Sequence, residues 1–179
     1  MEIAFVGESS ADAAGVNKLT EALFGPQVTR CDIPVNVRGG WPALLNDLPT
    51  VIRATYFKTN AFGLVVVVDS DGTSLHPSSP DNRRVIIDHL IATSRATGRN
   101  DRGPLRVAVG IAVPCIEAWW LAHENSAISE HTWFNRHTHP GAPYNKLDLK
   151  RQLYGTTVPS IDLETRKMIE AAEIAARNV

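Results

Sequence analysis

The chain has 179 residues, with 18 Lys+Arg against 19 Asp+Glu and a formal net charge of −1. Hydrophobic residues make up 44% and charged residues 21%, the balance of an ordinary globular domain rather than of a histone-like binder or an acidic disordered tail. Two cysteines, Cys31 and Cys115, are too few for a disulfide scaffold. No apolar run approaches the roughly 18 residues of a membrane span, and no cationic segment precedes an apolar stretch at the start. One cytoplasmic α/β domain over residues 1–179, with no membrane partner, is the expectation.

Met1 to Gly7 is a short apolar run ending in glycine and reads as a buried first strand. Ser and Asp in Glu8-Ser9-Ser10-Ala11-Asp12 suit a helix cap, and Val16, Leu19, Leu23 and Phe24 then recur at helical spacing until Gly25-Pro26. Val28 to Val37 reads as a second strand, near an edge because of Pro34. A turn over Arg38-Gly39-Gly40-Trp41-Pro42 leads to a helix from Ala43 to Thr55. The β-branched run Leu64 to Val68 is the strongest strand signal and predicts burial on both faces, as in the middle of a parallel sheet. A polar loop through Pro80, a helix from Asn82 to Ala96, a loop from Gly98 to Pro104 and a strand from Leu105 to Val113 follow. Pro114 opens a short helix, residues 126–144 read as an irregular insert or lid, and helices are expected over Lys146–Leu153 and Ser160–Arg177. Strands alternating with helices predict a three-layer sandwich around a mostly parallel sheet.

Functional groups in such a sheet gather past the carboxyl ends of the strands. Three strand ends carry acids: Glu8 after the first, Asp69 and Asp71 after the central one, and Glu117 shortly after the last. Acids crowded at one edge repel unless a cation lies between them. Mg²⁺, or Mn²⁺, held by one or two carboxylates and a substrate phosphate, is the natural candidate. An Asp-x-Asp spacing in extended chain puts both side chains on one side. Asp69-Ser70-Asp71-Gly72 equally suits a plain turn, and a carboxylate such as Glu8 before a helix, or Glu117 within its first turn, favours the helix dipole without doing chemistry.

Val6 to Ala13 resembles the first motif of the TOPRIM (topoisomerase–primase) superfamily, an apolar strand ending in glutamate with an Asp four positions on. Leu64 to Asp71 resembles its second motif, an apolar strand ending in Asp-x-Asp. The stretch Gly110 to Leu121, with Arg38-Gly39-Gly40 and the Lys146–Lys150 region, is similar to small stand-alone bacterial TOPRIM-like proteins. The resemblance implies Glu8 as general acid/base and Asp69 and Asp71 as Mg²⁺ ligands, with a role in phage defence or DNA processing. On the same residues Val65 to Thr73 matches the nucleophile motif of haloacid-dehalogenase-like phosphatases, in which Asp69 would form an aspartyl-phosphate and Asp71 would be the acid/base.

Basic residues gather at Arg83-Arg84, over Arg95, Arg99, Arg102 and Arg106, and at Lys146, Lys150 and Arg151. Arg83, Arg84, Lys146 and Lys150 are the candidate phosphate-binding groups. Of Trp119 and Trp120, packing is the plainer reading for both, although one could stack on a base. His131, His137 and His139 read as a solvated loop rather than a zinc site, and Cys115 as a buried small hydrophobe. No phosphate loop, nucleophile elbow or dinucleotide fingerprint is present in the sequence. The expected activity is Mg²⁺-dependent phosphodiester chemistry on nucleic acid, with Glu8, Asp69, Asp71 and Glu117 as the candidate metal ligands, Glu8 and Asp69 as the catalytic pair and Glu117 supporting the site. The alternatives are a non-catalytic binding subunit working with a protein partner in a multi-component assembly and, third, the phosphatase.

Overall fold

The computed structural model describes residues 1–37, 39–94, 103–125, 127–134 and 144–177. Arg38, Arg95, Arg99, Arg102, His137 and His139 lie outside the described residues, as does part of the expected insert over 126–144. One four-stranded, all-parallel sheet runs in the order β2-β1-β3-β4, with β1 at Glu2–Gly7, β2 at Thr29–Arg30, β3 at Gly63–Asp69 and β4 at Arg106–Ala112. The helices of the described residues are α1 (Ser10–Phe24), α2 (Trp41–Lys58), α3 (Arg83–Thr93), α4 (Ile116–Leu121), α5 (Glu130–Phe134), α6 (Lys146–Tyr154) and α7 (Ile161–Ala176).

The period-two alternation of the strands divides the core. Ala4, Val6, Leu64, Val66 and Val68 meet Leu44, Leu48, Val51 and Ile52 of α2 and Ile87 of α3. Phe5 and Val67 turn to the opposite face and meet α1, α4 and α7 through Val16, Ile116, Trp120 and Met168. Each such side chain, fully buried, contributes about 1.5–3 kcal/mol. With helices on both faces, the molecule is the three-layer α/β sandwich that the strand pattern predicts.

Three elements differ from the sequence reading. The second strand is reduced to Thr29–Arg30; Cys31 still donates its N–H to Ile3 O at 2.8 Å, but Pro34, lacking an N–H, cannot extend the ladder. Helix α2 begins at Trp41, with Pro42 in the first turn, where no donor is needed, and runs through Pro49 to Lys58. The stretch expected to be irregular contains α5, and its Ile128 and Tyr144 are buried with Cys115, Ala118, Leu121 and Leu149 in a third apolar cluster.

The strand order carries the functional consequence. From β1 the chain goes first to one side, to β2, and then to the other, to β3, so the order reverses between β1 and β3. Such a switch point opens a crevice at the carboxyl ends of its two strands. Glu8 follows one of them and Asp69 ends the other. Among the described residues, no helix is long and apolar enough to cross a membrane.

Candidate functional site

Glu8 is held from three sides. Its carbonyl accepts from Gly40 N at 2.6 Å, and its Oε1 accepts from Asp69 N at 3.0 Å, joining the ends of β1 and β3. The same oxygen accepts from Arg83 Nη1 at 2.6 Å. Arg83 Nη1 also donates to Asp69 O at 2.7 Å, and Nη2 donates to Asp71 Oδ2 at 2.9 Å. Arg83 stands in the first turn of α3, whose N-cap Asn82 accepts from Arg84 N and Val85 N. Its guanidinium lies 4.5 Å from the centroid of the Trp41 ring, and the residue is only 6% exposed. A fork fixed at both ends and stacked on an indole is a brace, drawing three strand-end groups into one cluster.

Asp69 and Asp71 reach the cluster by different routes. Asp69 is the last residue of β3, and its Oδ1 accepts from Ile116 N at 2.8 Å, supplying the N-terminus of α4 with an acceptor that Cys115 at the cap does not provide. Asp71 lies beyond the strand at φ 47°, followed by Gly72 at φ 75°. The tight left-handed turn, which suits Asp and Gly, rather than strand periodicity brings its carboxylate back beside that of Asp69. Asp71 N donates to Pro114 O at 3.0 Å, fixing the turn against the segment after β4. The plain turn and the paired acids foreseen as rival readings are therefore one feature.

Between the two carboxylates sits a cation from far along the chain. Lys146 Nζ donates to Asp69 Oδ2 at 2.7 Å and to Asp71 Oδ1 at 2.6 Å. Lys146 opens α6, capped by Asn145, and its side chain is 37% exposed. Deeper in the fold, Glu117 Oε1 accepts from Tyr154 OH at 3.2 Å and lies 3.6 Å from Lys150 Nζ, which is also 3.6 Å from Glu164. Among the described residues, Glu117 Oε2 is buried and has no hydrogen-bond partner. Asp12 is buried alongside, its Oδ2 accepting from Ser9 N at 2.7 Å in a capping box at the start of α1.

Burial and charge act against each other on these acids. Burial pushes the Asp69 carboxyl up to about 7 in spite of Lys146, and it pushes Asp12 up to about 7 with Asp69 adding to the effect. Glu8 is also raised by burial, with Arg83 opposing. At Asp71 burial works upward, but Lys146 and Arg83 outweigh it and hold the carboxyl below its usual range. Lys146 loses some basicity to burial and regains more from Asp69 and Asp71, so it stays an ammonium throughout the physiological range.

The fold thus gathers Glu8, Asp69, Asp71, Arg83 and Lys146, with Glu117 and Lys150 forming a separate pair beneath them. Arg84 goes elsewhere: its Nε pairs with Asp88 at 2.8 Å and its Nη1 donates to Val109 O at 3.0 Å. Both ends of the Arg83 guanidinium are taken by acids and the strand-end carbonyl, which leaves Lys146, among the described residues, the partly exposed cation at the mouth. Trp120 is core, and Trp119 donates to Glu130 Oε1 at 2.9 Å and closes over Gly110, so both tryptophans pack. Cys115 is fully buried, and burial with Glu117 beside it raises its thiol far above the usual range. Sequence reasoning missed Trp41, Tyr154, Glu164 and the buried state of Asp12. Of these, only Asp12 left a local signal, its three-residue spacing from Ser9.

Among the described residues, no group of three or more His, Cys, Asp or Glu side chains is arranged to hold a metal ion as it stands; Arg83 and Lys146 stand between the acids. The donor chemistry nevertheless fits a hard divalent cation. One point shared by Asp69 Oδ2 and Asp71 Oδ1 already holds a positive charge, both donors are carboxylate oxygens, and the side chain holding it is partly exposed. Two carboxylates complemented by substrate phosphate is a usual protein share of a Mg²⁺ site. In comparisons with known proteins, the chain matches no protein-family model, no curated protein and no solved structure.

Proposed function

We propose that the chain is a Mg²⁺- or Mn²⁺-dependent enzyme acting on phosphodiester bonds of nucleic acid, a nuclease with a TOPRIM-like core. The observation that supports this best is the cation position shared by Asp69 and Asp71, with Glu8 joined to it through Arg83 at the switch point of a parallel sheet. Asp69 and Asp71 would hold the metal, which when bound offsets charge on the phosphoryl oxygens. Glu8 is the general acid/base: burial raises its proton affinity towards the range in which it can both give and take a proton. Arg83 keeps the acids in register, and Lys146 is the group at the mouth that reaches a substrate phosphate oxygen. Glu117 supports the floor of the site from within α4, next to the Ile116 amide that orients Asp69.

Lys146 and Arg83 also favour a second reading. With two cations neutralising the acids, the fold needs no metal to stand, as suits a TOPRIM-like binding subunit that does no chemistry and works with a protein partner in a defence or DNA-processing assembly. The phosphatase reading is less well supported, because it asks Asp69 for a free attacking oxygen. Its Oδ1 accepts from Ile116 and its Oδ2 from Lys146.

The discriminating experiment is cleavage of end-labelled single- and double-stranded DNA and RNA with Mg²⁺ or Mn²⁺. Glu8→Gln and Asp69→Asn should each lower the rate by about 10²-fold or more. Undiminished cleavage in both variants overturns the mechanism. Stable binding with no turnover under either metal favours the binding subunit.

A further inference from the structure

Among the described residues the site holds two cations, and they are not equivalent. Arg83 is buried, stacked on Trp41, and committed to Glu8, Asp69 O and Asp71 through both ends of its guanidinium. It cannot leave without breaking its bonds to three acceptors at once. Lys146 hangs from the first residue of α6 on a flexible four-carbon stem, is 37% exposed, and makes its ion pairs with the facing oxygens of Asp69 and Asp71. Withdrawing it breaks two contacts at the rim and returns an ammonium to water.

From this asymmetry we propose that Lys146 is a resident counter-cation that competes directly with a divalent metal for Asp69 Oδ2 and Asp71 Oδ1. Rigid Arg83 keeps the acids assembled in both states. This rests on the metal-dependent reading above and adds to it a regulating residue. Without metal, Lys146 occupies the shared position and holds the turn at Asp71-Gly72 in its metal-ready form, which spares the acids their mutual repulsion. When metal arrives, Lys146 must withdraw, and its reach from the mouth of the site then suits it to a phosphate oxygen of the substrate. The device raises the metal concentration at which the site fills, and a substrate phosphate that attracts Lys146 lowers it. Metal and substrate should therefore bind with positive coupling.

The test is Mn²⁺ binding to the full-length protein, followed by calorimetry and by the electron paramagnetic resonance signal of free Mn²⁺. Wild type is compared with Lys146→Met, with Lys146→Gln as a second replacement, and with Arg84→Met. Arg84→Met removes a positive charge from the neighbouring helix position without touching Asp69 or Asp71. Urea unfolding of each variant verifies a cooperative fold. Both Lys146 variants should bind Mn²⁺ about tenfold more tightly than wild type, the size expected when a unit charge in van der Waals contact is removed from a partly solvated site. Arg84→Met should change affinity much less. Binding by the Lys146 variants alone also supports the proposal. Equal affinity of wild type and Lys146 variants, or an equal gain in Arg84→Met, overturns the competition while leaving the metal reading intact. No Mn²⁺ binding by any of the proteins overturns both.

Discussion

Arg83 and Lys146 bring the same charge to one group of acids, and their surroundings assign them different work. Arg83 is a buried partner of Glu8 and Asp71, so its removal takes the paired cation from Glu8 and one of two from Asp71. Replacing it with Met should cost about 3–5 kcal/mol, the range for breaking a buried pair from one side. Urea denaturation reads this directly, and a loss below about 1 kcal/mol would remove its role as a brace. The acids themselves were legible at this scale, because a strand that ends in a carboxylate exposes it at a predictable edge. Arg83's role was not. Its partner Glu8 is 75 positions away and its stacking partner is Trp41, and no local pattern in the chain announces either contact.

At the scale of elements, the site depends on helix ends. Asp69 satisfies the first turn of α4, Asn82 that of α3, Asn145 that of α6, and Ser9 with Asp12 that of α1. Asp12 makes the last of these sensitive to pH. Its folded carboxyl titrates at about 7, raised from 3.8 by burial and by Asp69, with Glu164 also facing it. A raised carboxyl contributes stability that is fully present below its unfolded value and is lost as pH rises through its folded value. Between about pH 4 and pH 8, therefore, ionisation of Asp12 destabilises the fold. Asp12→Asn keeps an acceptor for Ser9 N and removes the charge. The variant should show a flatter dependence of urea midpoint on pH and exceed wild type at pH 8 by on the order of 3 kcal/mol. An unchanged slope would contradict the assignment. The slope that remains in the variant includes Asp69, Glu8 and Glu164, which burial raises in the same direction.

Punctuation and period mark the elements in the sequence, and where those signals compete the element bounds shift. Pro34 left β2 only two paired residues, while α2 runs through Pro49 as the sequence predicts, because tertiary burial of Leu44, Leu48, Val51 and Ile52 outweighs one lost hydrogen bond. Helix α5 and the third apolar cluster arise from contacts of Ile128 and Tyr144 with α4 and α6, and a polar, histidine-rich sequence carries no periodic trace of them.

For the whole molecule, a near-balance of 18 basic and 19 acidic residues concealed a segregated arrangement. Among the described residues, three carboxylates at the switch point meet two cations drawn from α3 and α6, so the site's electrostatics are set by tertiary pairing rather than by net charge. The alternation of strands and helices conveyed the layers and the parallel sheet. The strand order β2-β1-β3-β4, which creates the crevice, depends on which edge each crossover joins, and that choice leaves no mark in composition or period. For the molecule as an enzyme, the proposed function makes one prediction, that activity depends on a divalent ion held at the paired aspartates.

Single-turnover cleavage of a labelled oligonucleotide, with Mg²⁺ and again with the metal chelated, tests this most directly when wild type is set beside Asp71→Asn. Asn adopts the left-handed backbone of position 71 (φ 47°) as readily as Asp does, so the variant should keep its fold while weakening the cation site. The predicted result is Mg²⁺-dependent cleavage by wild type, none with chelator, and a loss of about 10²-fold in Asp71→Asn. Cleavage that persists in chelator, or that is undiminished in Asp71→Asn, would contradict it.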